Sequence, residues 1–201
     1  NISDAKILDN VSLGENVHIG RNSIIYPGCY LGDNSKVGEN SILYPNTILY
    51  KDVEIGNNCV IDAGCVIGAD GFGLIQDNDI SYNIPHIGKV LIGDNVTIGS
   101  NTCIDRGTID DTIIEDNVKI DNMVQIAHNT HVGENTLIAA QSATVGSIKI
   151  GRNVTIAGQV GVAVDIGDDV IVAAKTGVTK VFSGPGVISG FPSRKHSEEL
   201  K

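Results

Sequence analysis

The amino-acid sequence predicts an all-β protein, built as a parallel β-helix of hexapeptide repeats. An aliphatic residue recurs at every sixth position from Ile7 to Ile67, through eleven repeats without an insertion. A second series runs from Ile114 to Ile150 and is interrupted only by Thr144. Aromatic residues make up 4% of the chain and there is no tryptophan. Neither an α-helix nor an alternating strand has a period of six, whereas stacked coils that bury two positions of every hexad do.

The third position after each aliphatic residue is predicted to form a corner of the coil. Asn, Asp or Gly occupies this position throughout the first array, and these residues tolerate left-handed backbone angles. Three hexads make one triangular coil, which gives about ten coils in all. The six-residue pattern resembles the left-handed class of β-helices, an exception to the usual right-handed crossover, and we expect that hand. The predicted corners are Asn10, Asn16, Asn22, Gly28, Asn34, Asn40, Asn46, Asp52, Asn58 and Gly64.

One long insertion interrupts the β-helix, which is expected to span residues 1–180. The step from Ile67 to Ile92 is longer than a regular coil, which predicts an excursion loop at about 69–87. Long loops on a rigid scaffold often carry binding residues. We interpret the Gly71-Phe72-Gly73 segment of this loop as a flexible hinge.

The period slips twice more before the array ends. The step from Ile104 to Ile114 is two residues short of two hexads, and we interpret this as a corner that residues 106–111 cut short. A second slip of two lies between Val162 and Ile166. Residues 181–201 are rich in Gly and Pro and are predicted to cap the open end of the prism, finishing in a short turn of helix at 197–200.

Composition and charge narrow the classes of function. The net charge of −10 disfavours a nucleic-acid partner, and no apolar run reaches the roughly 20 residues of a membrane span. Neither a metal nor a cofactor is expected.

The charge is uneven, because residues 149–201 hold 7 Lys and Arg against 5 Asp and Glu, whereas the rest hold 7 against 19. The basic C-terminal part is therefore a candidate docking face for an acidic partner, with a plain solvated surface as the alternative. Four cysteines without a ligand or CxxC spacing indicate a reducing cytoplasm.

His128 is the candidate for chemistry. It precedes the corner residue Asn129, so its side chain is expected to project from an edge of the prism. One full coil further along the chain lies Gly146, which would let a substrate carbonyl approach a backbone N–H. A base beside a backbone donor is the minimum requirement for acyl transfer. Asp121, seven residues before His128, is expected on the same surface. A non-functional exposed histidine stays the alternative, and a metal site with His131 lacks a third ligand.

Several runs resemble the UDP-3-O-acylglucosamine N-acyltransferases of lipid A biosynthesis. They are IGADGFG (67–73), IPHIGKVLIGDNVTIGSNTCIDRGTIDDT (84–112), IDNMVQIAHN (120–129) and PGVISGFP (185–192). The resemblance implies a homotrimeric left-handed β-helix that moves an (R)-3-hydroxyacyl group from acyl carrier protein to the glucosamine 2-amine. It implies His128 as general base, Gly146 as oxyanion donor, and Asp121, Gln125 and Asn129 in the substrate site. Residues for docking the acidic carrier protein would be Lys149, Arg152, Lys175, Lys180, Arg194 and Lys195.

The run Gln125-Ile126-Ala127-His128-Asn129 stands where the related sugar O-acyltransferases carry His-Ile-Ala-His-Asp, which favours amide formation. Two family features have no match. The repeats start at once, so we expect either a fragment without the family's N-terminal uridine-binding domain or an altered nucleotide recognition. Val162–Asp165 replaces the coil that carries a second histidine. Two other functions therefore stay open: a sugar acetyltransferase that uses acetyl-CoA, and a non-catalytic trimeric scaffold.

Overall fold

The computed structural model describes residues 4–199 and consists almost entirely of short parallel strands. The expectation for residues 1–3 and for Leu200 lies outside the described residues. The strands before the excursion are β1 (Lys6–Ile7), β2 (Ser12–Leu13), β3 (His18–Ile19), β4 (Ile24–Ile25), β5 (Tyr30–Leu31), β6 (Lys36–Val37), β7 (Ile42–Leu43), β8 (Ile48–Leu49), β9 (Val53–Ile55), β10 (Val60–Ile61) and β11 (Val66–Ala69).

The second half repeats the same element and ends in a short helix. Its elements are β12 (Leu74–Asp77), β13 (Ile80–Asn83), β14 (Val90–Ile92), β15 (Thr97–Ile98), β16 (Cys103–Asp105), β17 (Thr112–Ile114), β18 (Lys119–Ile120), β19 (Gln125–Ile126), β20 (His131–Val132), β21 (Leu137–Ile138), β22 (Ala143–Thr144), β23 (Lys149–Ile150), β24 (Thr155–Ile156), β25 (Gly161–Val162), β26 (Val170–Val172), β27 (Gly177–Val178), β28 (Gly186–Ser189), β29 (Arg194–Lys195) and α1 (His196–Glu199). No helix among the described residues has the length and apolar character that a membrane crossing needs.

Three parallel sheets form the three faces of the prism. Sheet 1 has eleven strands and starts at β1, sheet 2 has nine and starts at β2, and sheet 3 has seven and starts at β3. Consecutive strands of the chain therefore lie on successive faces, and each strand pairs with the one a full coil away. In the first half this offset is three hexads, as in the pairing of Ile7 with Ile25. The predicted β-helix of about ten coils is confirmed.

The sixfold aliphatic series fills the interior of the prism. Ile25, Leu31, Leu43 and Leu49 each expose 0% of their surface, and the same position stays buried up to Val178. Residues on the companion position are small and also buried, among them Cys59 and several Ser and Thr side chains. Apolar burial of this extent is the main stabilising term, because each coil completes the interior of its neighbours.

The corners have the backbone conformation that the sequence predicts. Asn10 has φ 59°, Asp52 has φ 63° and Gly28 has φ 77°. Met123, with φ 55°, takes the same conformation without being a residue that favours it. Because the hydrogen-bonded ladder fixes where each corner falls, the tertiary structure overrides the local preference there.

The excursion contains a β-hairpin that the prediction of a loop did not include. Strands β12 and β13 pair antiparallel, and the turn residues Asn78 and Asp79 have φ 46° and 65°. Two adjacent left-handed residues are typical of the tight turn that joins two twisted strands. The chain then returns to the prism, where the Ile87 N–H donates to the Thr108 carbonyl over 2.9 Å.

The prediction that residues 106–111 cut a corner short was wrong. In a regular coil of three hexads Val90 would pair with Thr108. It pairs instead with Thr112, four positions further along the chain. The segment is therefore an enlarged corner, and the Arg106 side chain is buried beneath it at 3% exposure. The second slip was interpreted correctly, since Val162 pairs with Val178, two positions short of a regular coil.

The C-terminal residues continue sheet 1 and then turn back on it. Strand β28 pairs parallel to β26, and β29 pairs antiparallel to β28. Helix α1 lies against both of these strands. The Gly-rich and Pro-rich tail thus adds one more strand before it folds over the end of the sheet.

Candidate active site

A cleft of about 590 Å³ opens where the excursion leaves the prism. Its walls come from the start of the excursion and from consecutive strands of sheet 2. The cleft is lined by Asp70, Gly71, Phe72, Asp105, Gln125, Ala127, His128, Thr144, Val145 and Gly146. Both residues proposed from the sequence for chemistry, a base and a backbone donor, are therefore in one cleft.

His128 and Gly146 are in direct contact across adjacent coils. The Ser147 N–H donates to the His128 carbonyl over 2.8 Å, which aligns the two segments. A Cβ atom on Gly146 would lie 2.5 Å from both Cε1 and Nε2 of His128. This is about 1 Å closer than an ordinary carbon contact. Only glycine therefore leaves room for the imidazole in its observed position.

Gly146 lines the cleft, and its N–H has no acceptor among the described residues. At the same position of neighbouring hexads, carboxylates accept this outward N–H. The Glu115 carboxylate accepts from Glu134 N–H over 3.0 Å, and the Asp121 carboxylate accepts from Ala140 N–H over 3.2 Å. Gly146 lacks such a partner, so its N–H can donate to a bound oxygen atom.

Asn129 determines which nitrogen of His128 carries the proton. The Asn129 Oδ1 accepts from Thr108 N–H over 2.9 Å, and its Nδ2 donates to the Asp110 carbonyl over 2.7 Å. These two backbone partners fix the orientation of the amide. Oδ1 also lies 2.9 Å from His128 Nδ1, and because an amide oxygen only accepts, this contact favours the tautomer with its proton on Nδ1; the Thr108 Oγ1 atom lies 3.3 Å from the same nitrogen. In that tautomer the lone pair is on Nε2, one of the two ring atoms nearest to the position of a Cβ on Gly146, which is the arrangement of a general base.

A carboxylate and an amide stand beside the base. Gln125 Nε2 donates to Asp105 Oδ2 over 2.9 Å and to the Ile126 carbonyl over 3.3 Å. Both partners are acceptors, so the orientation of the Gln125 amide is also fixed. Burial raises the pKa of the Asp105 carboxyl, while the hydrogen bond from Gln125 and the nearby charge of His128 offset part of the rise. The sequence analysis gave Asp105 no role.

His86 is a second histidine of the site that the sequence analysis missed. Its ring packs edge-on against His128 with centroids 5.3 Å apart, and only 5% of the residue is exposed. Its Nδ1 donates to the Ile84 carbonyl over 2.8 Å, and its buried Nε2 has no partner within the described chain. The excursion brings it there, so no regular spacing in the sequence could have shown the contact.

The Gly71-Phe72-Gly73 segment covers both imidazoles. A Cβ atom on Gly71 would lie 2.9 Å from His128 Cδ2, and one on Gly73 would lie 2.7 Å from His86 Cε1. Between them, the Phe72 side chain is 89% exposed. The two glycines therefore allow close packing over the rings, a function that the interpretation as a hinge did not include.

Asp121 lies at a different corner of the prism from His128. Its carboxylate accepts from Asn122 N–H over 2.8 Å and from Ala140 N–H, between β18 on sheet 1 and β19 on sheet 2. His128 follows β19 and lies between sheets 2 and 3. A separation of seven residues is one hexad plus one, which moves a residue to the next corner. Within one chain, the structure does not bring Asp121 to His128.

His131 is hydrogen-bonded to a carboxylate on sheet 3, one strand beyond the cleft. Its Nε2 lies 2.6 Å from Glu115 Oε1. Burial alone would raise the pKa of Glu115, but the hydrogen bonds from His131 and from the Glu134 N–H outweigh it, and the pKa is lowered. His131 is thus occupied by a carboxylate rather than directed toward His128.

The basic residues predicted for carrier docking are spread over several faces near the C-terminal end. Lys149 belongs to sheet 3, Arg194 and Lys195 to β29 on sheet 1, and Lys175 forms a corner with φ 59°. Arg152 makes an ion pair of 2.9 Å with Asp168. Lys180 follows β27 at the end of sheet 2.

Family models for hexapeptide transferases match much of the chain. "Bacterial transferase hexapeptide (six repeats)" matches residues 10–43, 34–69 and 111–145, and "Hexapeptide repeat of succinyl-transferase" matches 89–124. Together they cover more than half of the 201 residues. The period of six seen in the sequence is thus the hexapeptide repeat of bacterial transferases.

Curated relatives within that family carry one name, UDP-3-O-acylglucosamine N-acyltransferase. The protein of Campylobacter lari is 46% identical over 98% of this chain and 63% of its own length. That of Campylobacter concisus is 44% identical over 98% and 63%, and that of Helicobacter hepaticus 43% identical over 96% and 60%. The resemblance seen in the sequence motifs is confirmed. The chain spans about 60% of the length of these relatives.

Solved structures of sugar O-acyltransferases share the fold. UDP-N-acetylglucosamine O-acyltransferase from Moraxella catarrhalis superposes with a TM-score of 0.80 at 24% identity, over 94% of this chain and 73% of that one. UDP-N-acetylglucosamine acyltransferase from Bacteroides fragilis gives 0.75 at 26% identity, over 96% and 72%. The hexapeptide-repeat β-helix described above is therefore the architecture of known acyltransferases.

Proposed function

We propose that this chain is the β-helical part of an N-acyltransferase of lipid A biosynthesis. It moves an (R)-3-hydroxyacyl group from acyl carrier protein to the 2-amine of UDP-3-O-acylglucosamine. The observation that carries the proposal is the close approach of the His128 imidazole to Gly146, whose N–H has no acceptor among the described residues. The names of the relatives, from 43% to 46% identical, support this choice of acceptor and product.

The proposal gives each group a role in the reaction. The amine nitrogen attacks the thioester carbonyl, so a C–N bond forms and the carbonyl oxygen becomes an oxyanion. The Gly146 N–H donates to that oxygen, and His128 Nε2 takes a proton from the nitrogen. When the C–S bond breaks, the imidazolium returns its proton to the leaving thiolate. The products are an amide and a thiol, and each of the two groups typically contributes about 10²-fold or more to the rate.

Asn129 acts through His128 in this proposal. Its amide is held by two backbone groups and keeps the Nδ1 proton of the imidazole in place. It is therefore a positioning residue, in addition to the substrate contact expected from the sequence. Gln125 and Asp105 line the cleft beside the base and are available to the acceptor sugar.

We propose a homotrimer in the cytoplasm as the working form. Asp121 stands at another corner of the prism, so it can join the site of His128 only from a neighbouring subunit. Threefold assembly brings different corners of identical chains together at three equivalent clefts. Three of the four unpaired cysteines are buried in the prism, which fits a reducing compartment.

The test is acyl transfer from a 3-hydroxyacyl carrier protein to UDP-3-O-acylglucosamine. It is run with this chain, with a form extended at its N-terminus to the relatives' length, and with His128→Ala in each. We expect His128→Ala to lower kcat by about 10²- to 10⁴-fold. His131→Ala is the matched control and should leave kcat unchanged, because its imidazole is bound to Glu115. Turnover that survives in His128→Ala, or no turnover by either unmutated form, would refute the proposal.

A further inference from the structure

We infer that Asp105 is the residue that selects a primary amine as the acyl acceptor, acting together with Gln125 and His128. The inference rests on the proposed function, which it deepens by naming what the cleft recognises in its acceptor. The sequence analysis assigned Gln125 to the substrate site and left Asp105 without a role.

Three polar side chains that line the cleft each offer a hydrogen-bond acceptor. Gln125 directs its Nε2 to Asp105 Oδ2 and to the Ile126 carbonyl, which leaves Oε1 free in the described structure. The Oδ1 atom of Asp105 likewise has no hydrogen-bond partner among the described residues. His128 holds its proton on Nδ1 toward Asn129, so Nε2 accepts as well. Asp105, Gln125 and His128 line one cleft and offer one such atom each.

Three acceptors match an ammonium group better than a hydroxyl. A primary ammonium carries three N–H donors and a positive charge, whereas a sugar hydroxyl has one donor and no charge. A hydroxyl in the same place would leave at least one acceptor unpaired and the Asp105 carboxylate without a counter-charge. Unpaired polar groups in a site built to bind a donor are the strongest means of rejecting the wrong ligand.

Partial burial strengthens this selection. Asp105 is half-buried between the excursion and sheet 2, and water screens it less than it would on an open surface. Among the described cleft residues the only other carboxylate is that of Asp70, which is exposed. Asp105 is therefore the group whose charge is best placed to draw a cation toward His128.

The proton balance fits the same arrangement. The acceptor arrives as R–NH₃⁺ held by Asp105, and one proton leaves to solvent by way of His128 Nε2 to give the free amine. The amine then forms the C–N bond as the C–S bond breaks, and His128 passes the second proton to the thiolate. The sum is one ammonium and one thioester converted to one amide, one thiol and one released proton.

The experiment compares binding of two ligands that differ in one group. They are UDP-3-O-acylglucosamine and its analogue with a hydroxyl in place of the 2-amine, titrated calorimetrically into the unmutated protein and into Asp105→Asn. The asparagine oxygen still accepts from Gln125, so the variant removes charge and keeps shape. We expect amine binding to weaken about 10- to 100-fold, and binding of the hydroxyl analogue to change less than about 2-fold.

Two controls show whether the loss of amine affinity comes from the charge of Asp105 or from a general effect of the substitution on the protein. Asp9→Asn makes the same chemical change in the first coil and should leave both affinities unchanged. Thermal unfolding of each variant shows whether the fold is retained. Equal loss with both ligands, no loss with the amine, or failure of the unmutated protein to prefer the amine would overturn the inference.

The outcome also distinguishes this inference from the proposed function. If the unmutated protein prefers the amine through Asp105 yet transfers no acyl group, the acceptor site stands and the acyltransferase proposal falls. If transfer depends on His128 but Asp105→Asn changes the affinity for both ligands equally, the proposed function is supported and the inference is refuted.

Discussion

Gly146→Ala is the substitution in which the geometry of the site makes its sharpest prediction. It adds one methyl group to the coil next to His128 and leaves the N–H that we propose as the oxyanion donor in place. The methyl carbon would lie 2.5 Å from Nε2 and Cε1 of the imidazole, where a carbon contact needs about 3.5 Å. Because the backbone at Gly146 is not left-handed, alanine introduces no strain of its own. The imidazole must therefore move by about 1 Å or rotate away.

The expected loss is large in activity and small in stability. Displacing a catalytic group by about 1 Å lowers kcat about 10²-fold. Overpacking costs about 1–3 kcal/mol in a closed core, but His128 is only partly buried and can turn toward solvent. Replacing glycine also stabilises by about 0.4–1 kcal/mol through the unfolded chain. The net change in unfolding free energy should stay within about 1 kcal/mol, a shift of about 2–4 °C in Tm.

The assay is a double-mutant cycle with kcat and thermal unfolding as readouts. Gly146→Ala should destabilise the unmutated protein relative to its effect in the His128→Ala background, where the methyl group meets no ring. Gly161→Ala, in the next coil of the same face, is the control, because a Cβ there meets nothing within 4 Å. Gly146→Ala with kcat within about 3-fold of the unmutated protein would refute the contact on which the catalytic assignment depends.

Three further predictions concern the surroundings of the base. Thr144→Val should lower stability by about 1–3 kcal/mol, because the Thr144 hydroxyl accepts from the partly buried Ala127 N–H over 3.0 Å. Thr176→Val should be neutral or stabilising, since the Thr176 hydroxyl is buried without a partner among the described residues. Asn129→Asp should move the acid limb of the pH dependence of kcat/KM to higher pH, because a carboxylate beside the imidazole stabilises its protonated, inactive form. Glu115→Gln should lower stability by about 0.3–1 kcal/mol at neutral pH. The pKa of Glu115 is depressed in the fold, so this difference is present above the ordinary value of about 4.3 and vanishes as pH falls through the folded value.

Denaturant unfolding measures the effect of the two Thr→Val substitutions. The pH–rate profile measures that of Asn129→Asp, and unfolding between pH 3 and 7 measures that of Glu115→Gln. Equal destabilisation by the two Thr→Val substitutions would contradict the hydrogen-bond assignment. An acid limb that does not move in Asn129→Asp would show that Asn129 does not contact the base during turnover. For Glu115→Gln, a stability difference that persists in acid would mean that the effect is not one of charge.

Much of the fold follows from the sequence because the determinants of a coil are local. A side chain buried at every sixth position and a corner that needs left-handed angles both leave marks that repeat along the chain. The vertical contact of His128 with Gly146 follows in the same way, since one regular coil separates them, as it separates the paired residues Gln125 and Ala143. Thr144 shows that exceptions are also informative, because its hydroxyl accepts the Ala127 N–H beneath the site.

The wrong interpretation of residues 106–111 has a simple physical cause. In a pattern of period six, a loss of two residues and a gain of four leave the same phase, so the step from Ile104 to Ile114 fits either. The pairing of Val90 with Thr112 decides for a gain. Sequence phase determines which side chains point inward, but only the hydrogen-bonded ladder shows how many residues a corner holds.

The sequence by itself determined the repeat, the inward and corner positions, the candidate base and its glycine neighbour. Tertiary structure alone decided the rest of the site. His86 reaches His128 only because the excursion returns beside it, Asp105 meets Gln125 only across the enlarged coil, and Asp121 turns out to occupy another corner. These contacts join residues whose spacing depends on the lengths of insertions, and an insertion has no period from which its path could be predicted.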